Sequence, residues 1–137
     1  MPTSYERQRR RETGVLLTIL ILAFQADAVA IDAEGWAKKA KPIVICDDGA
    51  DCDVKWGRGA AWIREHSKFQ IAVDKPAILA TYGPVYANVD LSYVLTKRLR
   101  KDGKFDISAR AWCGNVITCR PKSKDAILSL SRAIEAN

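Results

Sequence analysis

Alternation of apolar and polar residues is clearest between residues 91 and 113. Before Asp102-Gly103, Leu91, Tyr93, Leu95 and Leu99 alternate with Ser92, Val94, Thr96 and Arg98. After it, Phe105, Ile107, Ala109 and Ala111 alternate with Lys104, Asp106, Ser108, Arg110 and Trp112. A period of two on both sides of Asp-Gly predicts a β-hairpin with one buried and one mostly polar face. Upstream, "KPIVIC", "FQIAVD" and "PAILATYGPV" read as three further strands, with Phe69, Ile71 and Val73 on one side of the second.

Two segments carry the helical period instead. In "CDVKWGRGAAWIREHSK", residues Cys52, Trp56, Ala60, Ile63 and Ser67 define one face. Gly57 and Gly59 weaken this helix unless they admit another backbone. In "SKDAILSLSRAIEA", Ile127, Leu130 and Ile134 form the stripe; Ser123 is the expected N-cap, and Asp125 complements the helix start. The order is β-α-β-β-β-β-α. It predicts a two-layer α+β domain: an antiparallel meander of four to five strands with an N-terminal and a C-terminal helix on its apolar face. Only in element order does this resemble half of the TATA-box-binding-protein-like fold, and a fold does not carry a function.

The first thirty residues follow a different pattern. A basic start with Arg7, Arg9, Arg10 and Arg11 precedes the apolar run "TGVLLTILILAF", and "QADAVA" ends with Ala28 and Ala30 at small-residue cleavage positions. This is the pattern of a signal peptide over residues 1–30. The run stops at Gln25 and Asp27, short of the roughly 20 apolar residues of a membrane span. Residues 31–41, containing Trp36 and "AKKAKP", read as a flexible linker, and residues 42–137 as one domain. Of 22 basic and 16 acidic residues, four arginines and three acids fall in the leader, which leaves a moderately basic chain. Such a balance favours acidic partners only weakly.

All four cysteines, Cys46, Cys52, Cys113 and Cys119, follow the leader. An even count in a small exported chain implies disulfides, with three possible connectivities. Both "CDDGADC" and "CGNVITC" are C-x5-C and enclose a glycine, which favours local pairing over cross-pairing. The first loop gathers Asp47, Asp48, Asp51 and Asp53. Their order does not match the calcium-loop pattern, and one histidine, His66, makes a zinc set poor. No metal or cofactor is expected: the acids are read as solvating a tight loop, with Asp51 or Asp53 capping the following helix.

"CDDGADCDVKWGRGAAWIREHS", "TYGP" and "CGNVITC" together resemble a group of small exported proteins of Gram-negative bacteria with paired C-x5-C loops. The resemblance covers roughly residues 44–121. It implies export and a globular domain, and carries over no catalytic residue, because that group has no assigned activity.

Catalytic patterns are sparse. His66 has no nucleophile motif beside it, C-x5-C is not the C-x-x-C redox motif, and no phosphate-binding glycine pattern is present. The expectation is a non-enzymatic periplasmic or secreted protein. It binds an envelope protein or an anionic polymer, not nucleic acid, and its mature chain has no transmembrane span. The candidate surface is the polar hairpin face with Arg98, Lys104, Arg110 and Trp112. Tyr82 and Tyr86, flanking "GPV", either line a groove or pack over the core. The alternatives are an inhibitor of an exported enzyme using the same face, or a small hydrolase with paired carboxylates.

Overall fold

A computed structural model describes residues 33–136. The expected signal peptide lies outside the described residues. Five strands form one antiparallel sheet: β1 (Lys41–Cys46), β2 (Ile71–Lys75), β3 (Ile78–Thr81), β4 (Ser92–Leu99) and β5 (Phe105–Trp112). Helix α1 (Gly49–His66) follows β1, and α2 (Ser123–Glu135) follows β5. The chain is therefore α+β. The spatial order is β1-β5-β4-β3-β2, so β1 and β2 are the edges and the hairpin pair occupies the centre. Pro42, which has no N–H to give a ladder, sits in edge strand β1.

Both helices cover one face. Ala60 and Ile63 of α1, with Ala126, Leu130 and Ile134 of α2, pack on Val44, Leu79, Tyr93, Leu95, Ile107 and Ala109. The α1 stripe lies as its period predicts. Gly59 is the glycine this packing needs: a Cβ there would stand 3.1 Å from both Ile134 and Leu95. A Cβ on Gly57 would meet nothing within 4 Å. The Cys46–Cys52 disulfide is fully buried in the same cluster and ties the end of β1 to the first turn of α1.

Strand β2 departs from its alternation. Ile71 pairs with Thr81 and Val73 with Ala80, so a register shift falls between them. The extra residue sends the two side chains to opposite faces: Ile71 joins the helix-side cluster, Val73 the other.

The largest departure is on the face expected to be mostly polar and open. Ser92, Val94, Thr96 and Ser108 are all buried there. Residues 33–38, read from the sequence as linker, are helical, and the segment 33–40 lies over this face as a strap. Ala33 and Ala40 are buried against Ala80 and Val94. Trp36 packs edge-on against Trp112 with ring centroids 4.9 Å apart. Trp36 and the neighbouring alanines thus cover the strip that alternation alone would leave to water.

Candidate interaction surface

The Asp-rich loop resolves into local bonds. Asp48 is the N-cap of α1, its carboxylate accepting the Asp51 N–H at 2.8 Å. The helix begins three residues earlier than the sequence suggested, which moves the cap from Asp51 or Asp53 to Asp48. Asp51 accepts from the Asp47 N–H at 2.9 Å and pairs with Lys55 at 2.8 Å. The Lys55 bond and the Asp47 N–H together hold its carboxyl below the usual range. Asp53 pairs with Lys97 at 2.6 Å and Asp47 with Lys104 at 3.5 Å. Each of the four carboxylates thus serves as a cap or an ion-pair partner.

His66 stacks on Trp62, 4.2 Å between centroids, and its Nδ1 lies 2.9 Å from the Trp62 carbonyl. A carbonyl only accepts, so this contact places the ring proton on Nδ1. The ring thus satisfies a carbonyl in the last turn of α1.

The four residues proposed from the hairpin do not converge. Lys104 precedes β5 and Trp112 ends it, about 26 Å apart along the strand at 3.3 Å per residue. Arg98 donates from Nη2 to the carbonyls of Ala40 at 3.2 Å and Ala37 at 3.5 Å, so it fastens the strap. The Arg110 guanidinium stands 4.6 Å over the Trp112 ring, whose neighbour is Trp36. Arg110 and Trp112 are the one pair of the four that meet.

A different surface forms at the end of the sheet where β5 runs out. Two loops lie side by side there, one leaving β3 and one leaving β5. Tyr86 bridges Gly114, the Ala87 N–H donates to the Gly114 carbonyl at 3.1 Å, and Asn115 Nδ2 donates to the Ala87 carbonyl at 3.2 Å. The Arg120 N–H donates to Val89 at 2.9 Å. Gly114 is required by this contact, since any Cβ would collide with the Val85 carbonyl. Ala87 adopts φ +59, an uncommon conformation for alanine, held by bonds from both its N–H and its carbonyl to the second loop. The second loop is closed by Cys113–Cys119, so both disulfides follow the local pairing. Within it, Asn115 Oδ1 accepts from the Ile117 N–H at 2.9 Å and the Thr118 N–H at 3.0 Å.

These cross-braced loops hold apolar side chains out in water. Tyr86 is 91% exposed, Val116 94% and Ile117 89%, with Tyr82 and Val85 about half exposed beside them in sequence. Tyr86 does not pack over the core. Arg120, Lys122 and Lys124 follow the second loop, all exposed and without an acidic partner within 4.0 Å among the described residues. Sequence reasoning passed over Val116 and Ile117. The available signal was two large apolar residues inside a seven-residue cystine ring, which leaves them no route to a core.

No protein-family model, curated protein or solved structure matches the chain. Among the described residues, no helix is long and apolar enough to cross a membrane. The two disulfides fit an oxidising compartment.

Proposed function

We propose that the chain is an exported, non-enzymatic binding protein of the periplasm or cell exterior, which engages an envelope protein through the two-loop end of its sheet. The observation that carries this reading is the exposure of Tyr86, Val116 and Ile117 on loops braced by a disulfide and interloop hydrogen bonds. Exposed apolar groups gathered on one surface are a mark of interaction sites. Bracing reduces the ordering entropy that a flexible loop would lose on binding. The exposed cations of Arg120, Lys122 and Lys124 favour a partner surface that carries carboxylates around an apolar depression. The export reading rests on the leader pattern of residues 1–30 and on the two disulfides.

The decisive experiment is site-specific photo-crosslinking in cells. A benzoylphenylalanine at position 117 is expected to give discrete adducts with an envelope protein; the same group at Glu65, on exposed α1, is expected to give none. Ile117→Asp with Val116→Asp should abolish association of the adducted partner with otherwise unmodified protein, leaving the thermal midpoint unchanged. Absence of position-specific adducts, or undiminished association of the double variant, overturns the reading. A second reading, inhibition of an exported enzyme, uses the same narrow cystine loop as a plug. It is distinguished by loss of the partner's catalytic activity on addition of the purified protein.

A further inference from the structure

The strap leaves a groove beside it. About 290 Å³ of space opens between strap residues Glu34, Ala37 and Lys38 and the interior strands β3 and β4 at Ile78, Thr96 and Arg98. Ala77 adds to its apolar floor. Strand alternation fixes which side chains face it. Leu95 lies in the helix-side core and the Lys97 ammonium reaches Asp53 of α1 at 2.6 Å, so Thr96 and Arg98 turn to the strap.

Thr96 is the anomaly. It is only 2% exposed, and among the described residues its Oγ1 is the buried side-chain oxygen without a hydrogen-bond partner. Its neighbours on this face are provided for: Ser108 donates to Asp106 at 2.8 Å and Ser92 to the Tyr82 carbonyl at 3.2 Å. A buried hydroxyl without a partner is a cost that valine, of the same shape, would not carry. Thr96 lines the groove although its Oγ1 is buried, and rotation about χ1 by one well carries the hydroxyl to the position its methyl held. Three cationic residues line the groove; Lys97 is held by Asp53, which leaves two to consider. Arg98 gives one nitrogen, Nη2, to strap carbonyls, which leaves most of its five-donor fork unused. Lys38 is exposed and has no acidic partner within 4.0 Å among the described residues. Glu34 is the single acid in the lining.

We propose that this groove binds a small carboxylate with a short aliphatic body. The carboxylate is held at the Lys38 and Arg98 rim and accepts the Thr96 hydroxyl, and the aliphatic part lies on Ala37, Ala77 and Ile78. A carboxylate satisfies all three donors at once, since it accepts only. The volume is at the small end of ligand pockets, which limits the body to a few carbons.

Hexanoate is the probe, with hexan-1-ol and hexylamine as charge controls, in titrations of the ¹⁵N-labelled protein. Hexanoate is expected to shift the amides of Ala37, Ile78, Thr96 and Arg98 saturably, with a Kd on the order of 1 mM for so small a ligand. The alcohol and the amine should bind at least roughly tenfold more weakly, as expected for loss of a charge-assisted contact. Thr96→Val should weaken hexanoate by about tenfold while raising the thermal midpoint, which shows that the variant is folded. Lys38→Gln, at an exposed position, should weaken it about threefold or more. No saturable shift, equal shifts with all three probes, or full affinity in the Thr96→Val protein would overturn the site.

Discussion

Tyr93 stands in central strand β4 with its ring edge against Trp62, 5.8 Å between centroids. Burial pushes its phenol up to about 12 from an ordinary value of 10.0. The unfolded chain therefore releases this proton first. Above pH 10 the folded state binds more protons, so stability falls with rising pH until the folded group also titrates. The stabilisation is complete below pH 10 and is lost progressively as pH rises towards about 12. Denaturant unfolding of Tyr93→Phe between pH 9 and 12 should remove that decline. At the acid end, Asp51 and Asp102 have lowered values. Lys55 is the main cause for the first, and the Arg100 guanidinium, 3.0 Å away, for the second. Their contribution is present above the ordinary carboxylate range and is lost as pH falls through the lowered values.

At the scale of elements, the two helices begin differently. Asp48 caps α1 through its side chain, whereas α2 begins after Lys122 with no side-chain cap bond, and Ser123 is its first helical residue instead of its N-cap. Asp48→Ala should thus lower stability by about 1 kcal/mol, while Ser123→Ala should change it by no more than a few tenths. Thermal unfolding of the two variants side by side checks this. Much at this scale was legible in the sequence. The 3.6 period located both helices and Asp-Gly located the central hairpin. Of Gly57 and Gly59, read alike from the sequence as admitting a backbone, only Gly59 has close neighbours, and they are the side chains of Leu95 and Ile134. The β2 bulge was not legible, because a period-two pattern assumes an uninterrupted ladder and "FQIAVD" contains nothing that marks the extra residue. The α1 cap was missed for a related reason: four aspartates in eight residues offer several starts, and Cys46–Cys52 selects among them by fixing where the turn closes.

For the whole molecule, the strap changes the account most. It covers Val94 and Ala80, engages Arg98 and meets Trp112, so the sheet has packing on both faces. Trp36→Ala should cost about 1–3 kcal/mol through lost aromatic contact and burial, and should speed proteolysis within residues 33–40. Limited proteolysis with mass mapping, alongside denaturant unfolding, measures both. Candidate chemistry shifts accordingly. Arg98, Lys104, Arg110 and Trp112 were chosen as charged and aromatic residues on one alternating face, but Arg98 and Trp112 engage the strap and Lys104 pairs with Asp47 before α1. The two-loop surface was hidden because its halves, near residues 86 and 116, are far apart in the chain and are joined by contacts of Gly114, Asn115 and Arg120 that no local pattern marks.

The sequence by itself determined what depends on neighbours along the chain: two helices, five strands, the hairpin turn, and cysteines spaced for local closure. These follow from backbone periodicity, turn chemistry and short loop closure, which act over a few residues. Only the tertiary structure decided which segment covers the second face, which aspartate caps α1, and which loops meet to expose Tyr86, Val116 and Ile117. Those outcomes depend on contacts between residues far apart in the chain, and the choice among them is made by close packing rather than by any local preference.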